Sequence, residues 1–177
     1  MYGLAGRNGS VKSTLLKIIS GLLSSSKGEV RFESEGNIIP RDQCYQYLSY
    51  AAPYFELIEE LTLEEYFKFY LKSSKTDSPG ELDKWLHASG LAHESKKQLQ
   101  NFSSGMKQRV KLSAALMSKK QLVLLDEPSS NLDSDAYEWY RKLLKECSQR
   151  SLVIVASNDE QDFTDLKDQI RMENFKR

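Results

Sequence analysis

Glycines, hydroxyl side chains and a lysine cluster in the segment 6–14, which reads GRNGSVKST. Backbone N–H groups of a glycine-rich turn, together with the N-terminus of a following helix, can surround phosphate oxygens. Lys12 would neutralise the β and γ phosphates of a nucleotide, and the Ser13 hydroxyl would hold magnesium. Val11 occupies the second glycine position of the pattern G-x-x-x-x-G-K-[ST], so the match is incomplete. A solvated glycine-rich turn is the alternative, and the spacing of the glycines disfavours a dinucleotide site.

Two acids, Asp126 and Glu127, follow the apolar run 122–125. Open α/β sheets bind their ligands at the carboxyl ends of the strands. At such a position Asp126 can reach a magnesium ion, and Glu127 can orient or deprotonate a water molecule. Acids at strand ends also occur as solvated turn residues, but the phosphate-binding pattern earlier in the chain favours the catalytic interpretation.

The surrounding elements must hold these residues in place. The apolar runs 122–125 and 152–156 lack polar alternation, which is typical of strands covered on both faces in a parallel sheet flanked by helices. We also predict strands at 29–32, 37–39 and 45–52, a helix after the glycine-rich turn that carries Leu22 on its apolar face, and a helix at 134–149.

Between them, residues 55–118 form a mostly helical block. Its three helices are predicted to begin at Thr62, where Glu65 completes a capping box, at Ser78, with Pro79 as the first helical residue, and after Gly105. The fold class is therefore α/β with a helical insertion.

Composition excludes some classes of function. The 25 basic and 25 acidic side chains give a net charge of zero, which argues against a general polyanion or nucleic-acid binder. The longest apolar run has five residues, far fewer than the roughly 20 of a membrane-spanning helix. Cys44 and Cys147 lack metal-ligand spacing and no signal peptide is recognised, which fits a reducing cytoplasm.

The segment 102–109 reads FSSGMKQR. Taken alone, it is a serine cap ahead of an amphipathic helix, with a helix N-terminus that can accept an anion. It also resembles the signature motif of ATP-binding cassette (ABC) ATPases. The ordered set GRNGSVKST, FSSGMKQR, LVLLDEP and SSNLD is similar to that family over nearly the whole chain, from Gly3 to about Met172.

The resemblance implies a P-loop NTPase fold of ABC-ATPase type, with a catalytic core at about 1–54 and 119–177 and a helical subdomain at about 55–118. It implies ATP and Mg²⁺ as ligands, with Ser13 and Asp126 at the metal and Glu127 as the catalytic base. The residues that would bind ATP are Gly6, Asn8, Gly9, Ser10, Val11, Lys12, Ser13 and Thr14, with Ser103 and Gly105 reaching the ATP of a partner subunit.

The implied partners are a second ABC ATPase subunit, in a head-to-tail homodimer or heterodimer, and a membrane permease that the helical subdomain faces from the cytoplasm. The segment 129–133 would be the D-loop. The position of the family's switch histidine holds Asn158, which can hydrogen-bond a γ-phosphate but cannot shuttle a proton near neutral pH.

Three further departures concern the loops and the start of the chain. Val11 would be strained by about 1–3 kcal/mol at a positive φ, or its isopropyl group would push the phosphate away. Pro53 stands where the family has a magnesium-directed glutamine. The chain begins at a strand that should already be about the third of the domain, so we expect a truncated chain that lacks the adenine-stacking aromatic residue.

The leading interpretation is an ATP-hydrolysing subunit that powers a membrane permease. The departures also favour a nucleotide-binding or regulatory partner with little hydrolysis. A soluble ABC ATPase of translation or repair is the third alternative, disfavoured because the chain carries one cassette without a paired second copy.

Overall fold

The computed structural model describes residues 1–7, 11–73 and 78–175. The strands are β1 (Tyr2–Ala5), β2 (Phe32–Ser34), β3 (Asn37–Ile39), β4 (Leu48–Ala51), β5 (Leu122–Asp126), β6 (Leu152–Ser157) and β7 (Asp168–Arg171). The α-helices are α1 (Lys12–Ile19), α2 (Leu63–Ser73), α3 (Glu81–Ser89), α4 (Ser104–Met117) and α5 (Ser134–Ser148). Short 3-10 helices occur at Arg41–Gln46, Ala92–Glu94, Leu99–Asn101, Glu160–Phe163 and Met172–Phe175.

Five strands form one parallel sheet in the order β4-β5-β6-β1-β7, and β2 and β3 form a separate antiparallel hairpin. The register aligns the carboxyl ends of the central strands. Ala5 of β1 lies opposite Ser157 of β6, and Asp126 of β5 lies opposite Ala156 of β6. The loops that follow β1, β5 and β6 therefore meet at one edge of the sheet, where an open α/β sheet places its ligand site.

Both faces of this sheet are covered. On one face α1 packs with Leu16, which is fully buried against Leu4 of β1 and Leu124 of β5. On the other face α4 and α5 contribute Leu112 and Tyr140 to a second cluster. The apolar strands β5 and β6 are uninterrupted because their side chains point into one cluster or the other. The predicted α/β class, with a mostly parallel sheet flanked by helices, is confirmed.

Helices α2, α3 and α4 share a third apolar cluster. In it Phe67 meets Trp85 edge to face, with ring centroids 5.5 Å apart, and both side chains are at most 1% exposed. The predicted capping box begins α2, since Thr62 N donates to Glu65 Oε2 at 2.8 Å and Glu65 N donates to Thr62 Oγ1 at 3.3 Å. The division of the chain into core and helical subdomain at residues 55 and 118 stays a prediction.

Four strand or helix bounds predicted from the sequence are wrong. Helix α4 begins at Ser104 and not after Gly105, because the Ser103 hydroxyl caps it by accepting from Met106 N. The first hairpin strand begins at Phe32 and not at residue 29, because its partner β3 ends at Ile39 before Pro40, which has no N–H to donate. Residues 41–46 form a 3-10 helix, so the strand predicted at 45–52 is reduced to β4. Helix α3 starts at Glu81, after Gly80 at φ +82°, and not at Ser78.

One predicted packing residue is also wrong. Leu22 lies beyond the end of α1 at Ile19 and is 63% exposed. Within the described parts of the chain, no helix is both long enough and apolar enough to cross a lipid bilayer.

Candidate functional site

Lys12, the first residue of α1, lies at the centre of the sheet edge described above. Its side chain is 5% exposed, and Nζ donates to Gly6 O at 2.6 Å and to Arg7 O at 3.5 Å. The same ammonium group lies 3.4 Å from Glu127 Oε1. The structure thus joins the glycine-rich turn to the acids after β5 through a direct ion pair.

Three more residues of the glycine-rich segment have described positions. Gly6 follows β1, Ser13 occupies the first turn of α1 and is partly exposed, and Thr14 is exposed. Asn8, Gly9 and Ser10, which the sequence predicts as phosphate-binding residues, lie outside the described residues.

Val11 precedes α1 with φ +61° and ψ +12°, in the left-handed region, and its side chain is 53% exposed. Of the two sequence-based alternatives for this position, a positive φ is the one found. A β-branched residue is a genuine outlier there, since its Cβ substituents crowd the backbone.

Asp126, at the end of β5, is 1% exposed. Its Oδ2 accepts a hydrogen bond from the Tyr54 hydroxyl at 3.0 Å, and the Tyr50 hydroxyl oxygen lies 3.5 Å away. Its Oδ1 has no hydrogen-bond partner among the described residues. A buried carboxylate oxygen without a hydrogen-bond partner destabilises the folded protein, and a bound cation would offset this destabilisation.

Glu127 is held from both sides. Oε1 faces Lys12, while Oε2 accepts from Ser157 Oγ at 3.3 Å and from the backbone N–H of Asn158 at 3.2 Å. Its backbone has φ +46°, and its N–H donates to Ala156 O at 2.7 Å. The carboxylate is therefore fixed in orientation at the point where β1, β5 and β6 end. Asn158, the predicted switch position, is exposed and lies directly beside it.

The segment 102–109 leads into α4 and lies against the loop that follows Glu127. Ser103 is the exposed N-cap, and its hydroxyl accepts from Met106 N at 3.2 Å. A Cβ atom on Gly105 would stand 2.9 Å from Asn131 O, so this glycine allows α4 to approach the loop after Glu127 closely. Gln108 Nε2 donates to Pro128 O of the same loop at 2.9 Å. The contacts of Ser103 and Gly105 within the chain are with α4 and this loop.

The donor set suits a magnesium ion that is held jointly with a nucleotide. Within the described residues, no cluster of three His, Cys, Asp or Glu side chains could hold a metal. Magnesium commonly uses one or two protein ligands together with substrate phosphates and waters. Asp126 Oδ1 and the Ser13 hydroxyl would supply those protein ligands.

Sequence reasoning missed Tyr50, Tyr54 and Ser157. Burial raises the pKa of Tyr54 to about 12, and the nearby Asp126 carboxylate adds to the shift. Burial also raises the pKa of Tyr50, and the hydrogen bond with Tyr54 is the second-largest cause. The available signal was the position of Tyr50 at the end of a strand, but only the pairing of β4 with β5 shows that it reaches Asp126.

A lysine at the head of the helix after β1 and paired acids after β5, on a parallel sheet between helices, define a P-loop NTPase-type fold. Residues 1–130 match the family model described as ABC transporter, and the chain belongs to this family.

Curated relatives are ATP-binding proteins of transport systems. The bacitracin transport ATP-binding protein of Bacillus licheniformis is 28% identical over 159 residues, which are 89% of this chain and 52% of that protein. The chain therefore spans about half of its length. The cytochrome c biogenesis ATP-binding export protein of Reclinomonas americana is 32% identical over 164 residues, 89% of this chain and 72% of that protein.

Among solved structures, one described as a dimeric bacterial ABC transporter cassette matches with a TM-score of 0.78 at 26% identity. The match covers 91% of this chain and 75% of that one.

Proposed function

We propose that this chain binds Mg-ATP and hydrolyses it as the ATP-binding subunit of a membrane transporter. The observation that carries the proposal is the ion pair of 3.4 Å between Lys12 and Glu127, which brings the phosphate-binding turn and the acids after β5 to one point. The names of the curated relatives support the transporter role.

In this proposal Lys12 leaves Glu127 and the carbonyl of Gly6 to neutralise the β and γ phosphates. Asp126 and Ser13 hold the magnesium ion, which neutralises charge on the phosphoryl group when bound. Glu127, still oriented by the Ser157 hydroxyl and the Asn158 N–H, polarises the attacking water. Catalysis then rests on positioning and on electrostatic stabilisation.

The test is magnesium-dependent ATP turnover in three proteins: the wild type, Glu127→Gln and Lys12→Ala. We expect Glu127→Gln to bind ATP but to lose turnover by about 10²-fold or more, because general-base catalysis contributes that much. Lys12→Ala should lose ATP binding itself. Tyr45→Phe, at a tyrosine that is 67% exposed, serves as the control and should behave as the wild type. Turnover that persists in Glu127→Gln would show that another group is the base.

A nucleotide-binding partner with little hydrolysis is the second candidate. Val11 favours it, because a β-branched residue stands where the phosphate-binding pattern has a glycine. Asn158 favours it as well, since an amide cannot shuttle a proton. Under this candidate the wild type binds ATP but its turnover equals that of Glu127→Gln.

We further propose that the chain works as a head-to-tail dimer, with Ser103 and Gly105 of one subunit closing over the ATP of the other. The related cassette described as dimeric supports a paired arrangement. Ser103 is exposed, as this role requires. A membrane permease is the expected further partner, contacted from the cytoplasmic side.

A further inference from the structure

The loop after β4 brings two tyrosine hydroxyl groups to the carboxylate of Asp126. Strand β4 is the parallel neighbour of β5, and Tyr50 lies opposite Leu124, two residues before Asp126. Tyr54 follows after four residues. Its hydroxyl oxygen lies 3.0 Å from Asp126 Oδ2 and 2.5 Å from the Tyr50 hydroxyl oxygen.

Both hydroxyls approach the same carboxylate oxygen. The Tyr50 hydroxyl oxygen lies 3.5 Å from Asp126 Oδ2 but 2.5 Å from the Tyr54 hydroxyl oxygen. Each hydroxyl has one proton, so Tyr50 donates to Tyr54 and Tyr54 donates to Asp126. The buried Oδ1 has no hydrogen-bond partner among the described residues. Hydrogen bonds to one oxygen fix the rotation of a carboxylate and thereby the direction of the other oxygen.

The ring of Tyr54 is held although the residue is 44% exposed. Phe55 packs edge to face against it, with centroids 5.1 Å apart, and makes a similar contact with Tyr50 at 4.9 Å. On its other side Lys17 Nζ lies 4.2 Å from the Tyr54 ring centroid. Lys17 belongs to α1, the helix that begins with Lys12 and Ser13. Tyr54 thus contacts both the helix and the carboxylate that would share a metal ion.

We propose that Tyr54 is a positioning residue for the divalent cation of this site: its hydroxyl holds Asp126 Oδ2 so that Oδ1 remains directed to the ion. The inference rests on the proposed function. Pro53 stands where the family has a magnesium-directed glutamine, and in this proposal the residue after Pro53 supplies a side chain to the metal site. Groups that orient a metal ligand typically change metal affinity by about 10–100-fold when they are removed.

The test measures Mn²⁺ affinity by electron paramagnetic resonance, titrating Mn²⁺ into chain saturated with ADP and into ADP alone. Tyr54→Phe removes the hydroxyl but keeps the ring and its contacts with Phe55 and Lys17. We expect it to bind Mn²⁺ about tenfold more weakly than the wild type. Tyr50→Phe should lose less because the Tyr50 hydroxyl acts on Asp126 only through Tyr54. Tyr45→Phe is the matched control.

Two further readouts separate positioning from a structural role. The affinity for ADP without metal and the midpoint of thermal unfolding should change little in Tyr54→Phe, since the ring remains packed. A loss of Mn²⁺ affinity that merely follows a loss of stability would overturn the proposal. So would a Tyr54→Phe protein that binds Mn²⁺ as tightly as the wild type or more tightly.

A different result would contradict the proposed function itself. If neither the wild type nor Val11→Gly binds ADP or Mn²⁺, then the phosphate-binding account is wrong and this inference falls with it. If the wild type binds both and only the effect of Tyr54→Phe is missing, the role of Tyr54 alone is wrong.

Discussion

Val11 combines a β-branched side chain with a left-handed backbone conformation at the point where the glycine-rich turn enters α1. Its carbonyl accepts the first helical hydrogen bond, from Leu15 N at 2.9 Å, so the helix itself requires this residue to stay in place. Glycine adopts a positive φ without penalty. The start of α1 therefore holds Val11 in a backbone conformation that its β-branched side chain disfavours.

Val11→Gly should relieve this backbone strain. The strain released is about 1–3 kcal/mol, and the greater freedom of glycine in the unfolded chain offsets about 1 kcal/mol of it, so we expect a net gain in the free energy of unfolding of about 1 kcal/mol. The gain is measured by urea unfolding. Val11→Ala, which loses the branch but keeps Cβ, should fall between the two proteins. Unchanged stability in Val11→Gly would show that the backbone at Val11 is not strained.

At the residue scale the sequence indicated several side chains of the candidate site, but not all of their contacts. Lys12, Asp126 and Glu127 follow from a pattern of residue types and spacing. The contact between Tyr54 and Asp126 joins residues that are far apart in the chain, and no local pattern encodes it.

At the scale of elements, the 3-10 helix Glu160–Phe163 connects the end of β6 with the loop after Glu127. Asp162 in this helix is 4% exposed, and its Oδ2 accepts from Ser129 Oγ at 2.8 Å. Its Oδ1 has no hydrogen-bond partner among the described residues. Burial raises the pKa of this carboxyl group, and the charges of Asp159 and Glu127 add to the increase.

This raised pKa predicts a pH-dependent loss of stability. The folded state holds the Asp162 proton to higher pH than the unfolded state does, so the free energy of unfolding falls as pH rises from the unfolded pKa of about 4 through the raised folded pKa. Asp162→Asn keeps an acceptor for Ser129 but cannot ionise. We expect its stability relative to the wild type to be higher at pH 8 than at pH 4.

Urea unfolding at the two pH values measures this difference. Asp135→Asn, at an exposed position in the first turn of α5, is the matched control. A difference between Asp162→Asn and wild type that is the same at both pH values would contradict the predicted ionisation of a buried Asp162.

Elements with strong local signals were predicted well. The capping box of α2 depends on two residues only three positions apart, so the sequence carries it. The start of β2 was predicted three residues early, because it depends on where the partner strand β3 ends.

At the scale of the whole molecule, an exposed Ser103 and a related cassette described as dimeric lead to a prediction about assembly. If the signature segment closes over the ATP of a second copy, a variant that binds ATP without hydrolysing it should accumulate as a dimer. We expect Glu127→Gln to double its mass in sedimentation experiments when ATP is added.

Adding Ser103→Arg to Glu127→Gln should prevent this dimer, because a long charged side chain would fill the place of the phosphate. Ser24→Arg, at an exposed position outside the proposed interface, is the control and should leave the dimer intact. A Glu127→Gln protein that binds ATP yet stays monomeric would exclude a homodimer of this kind.

The sequence by itself determined the class of the protein and predicted several residues of its candidate site. Runs of buried strand residues, helix caps and the ordered motifs each depend on residues that are close together in the chain. They can therefore be recognised from the sequence alone. Only the tertiary structure decided that β1 lies between β6 and β7, that the Lys12 ammonium meets Glu127, and that Val11 takes a positive φ. These features follow from strand order and from the packing of α1 on the sheet, which are set by contacts between distant parts of the chain.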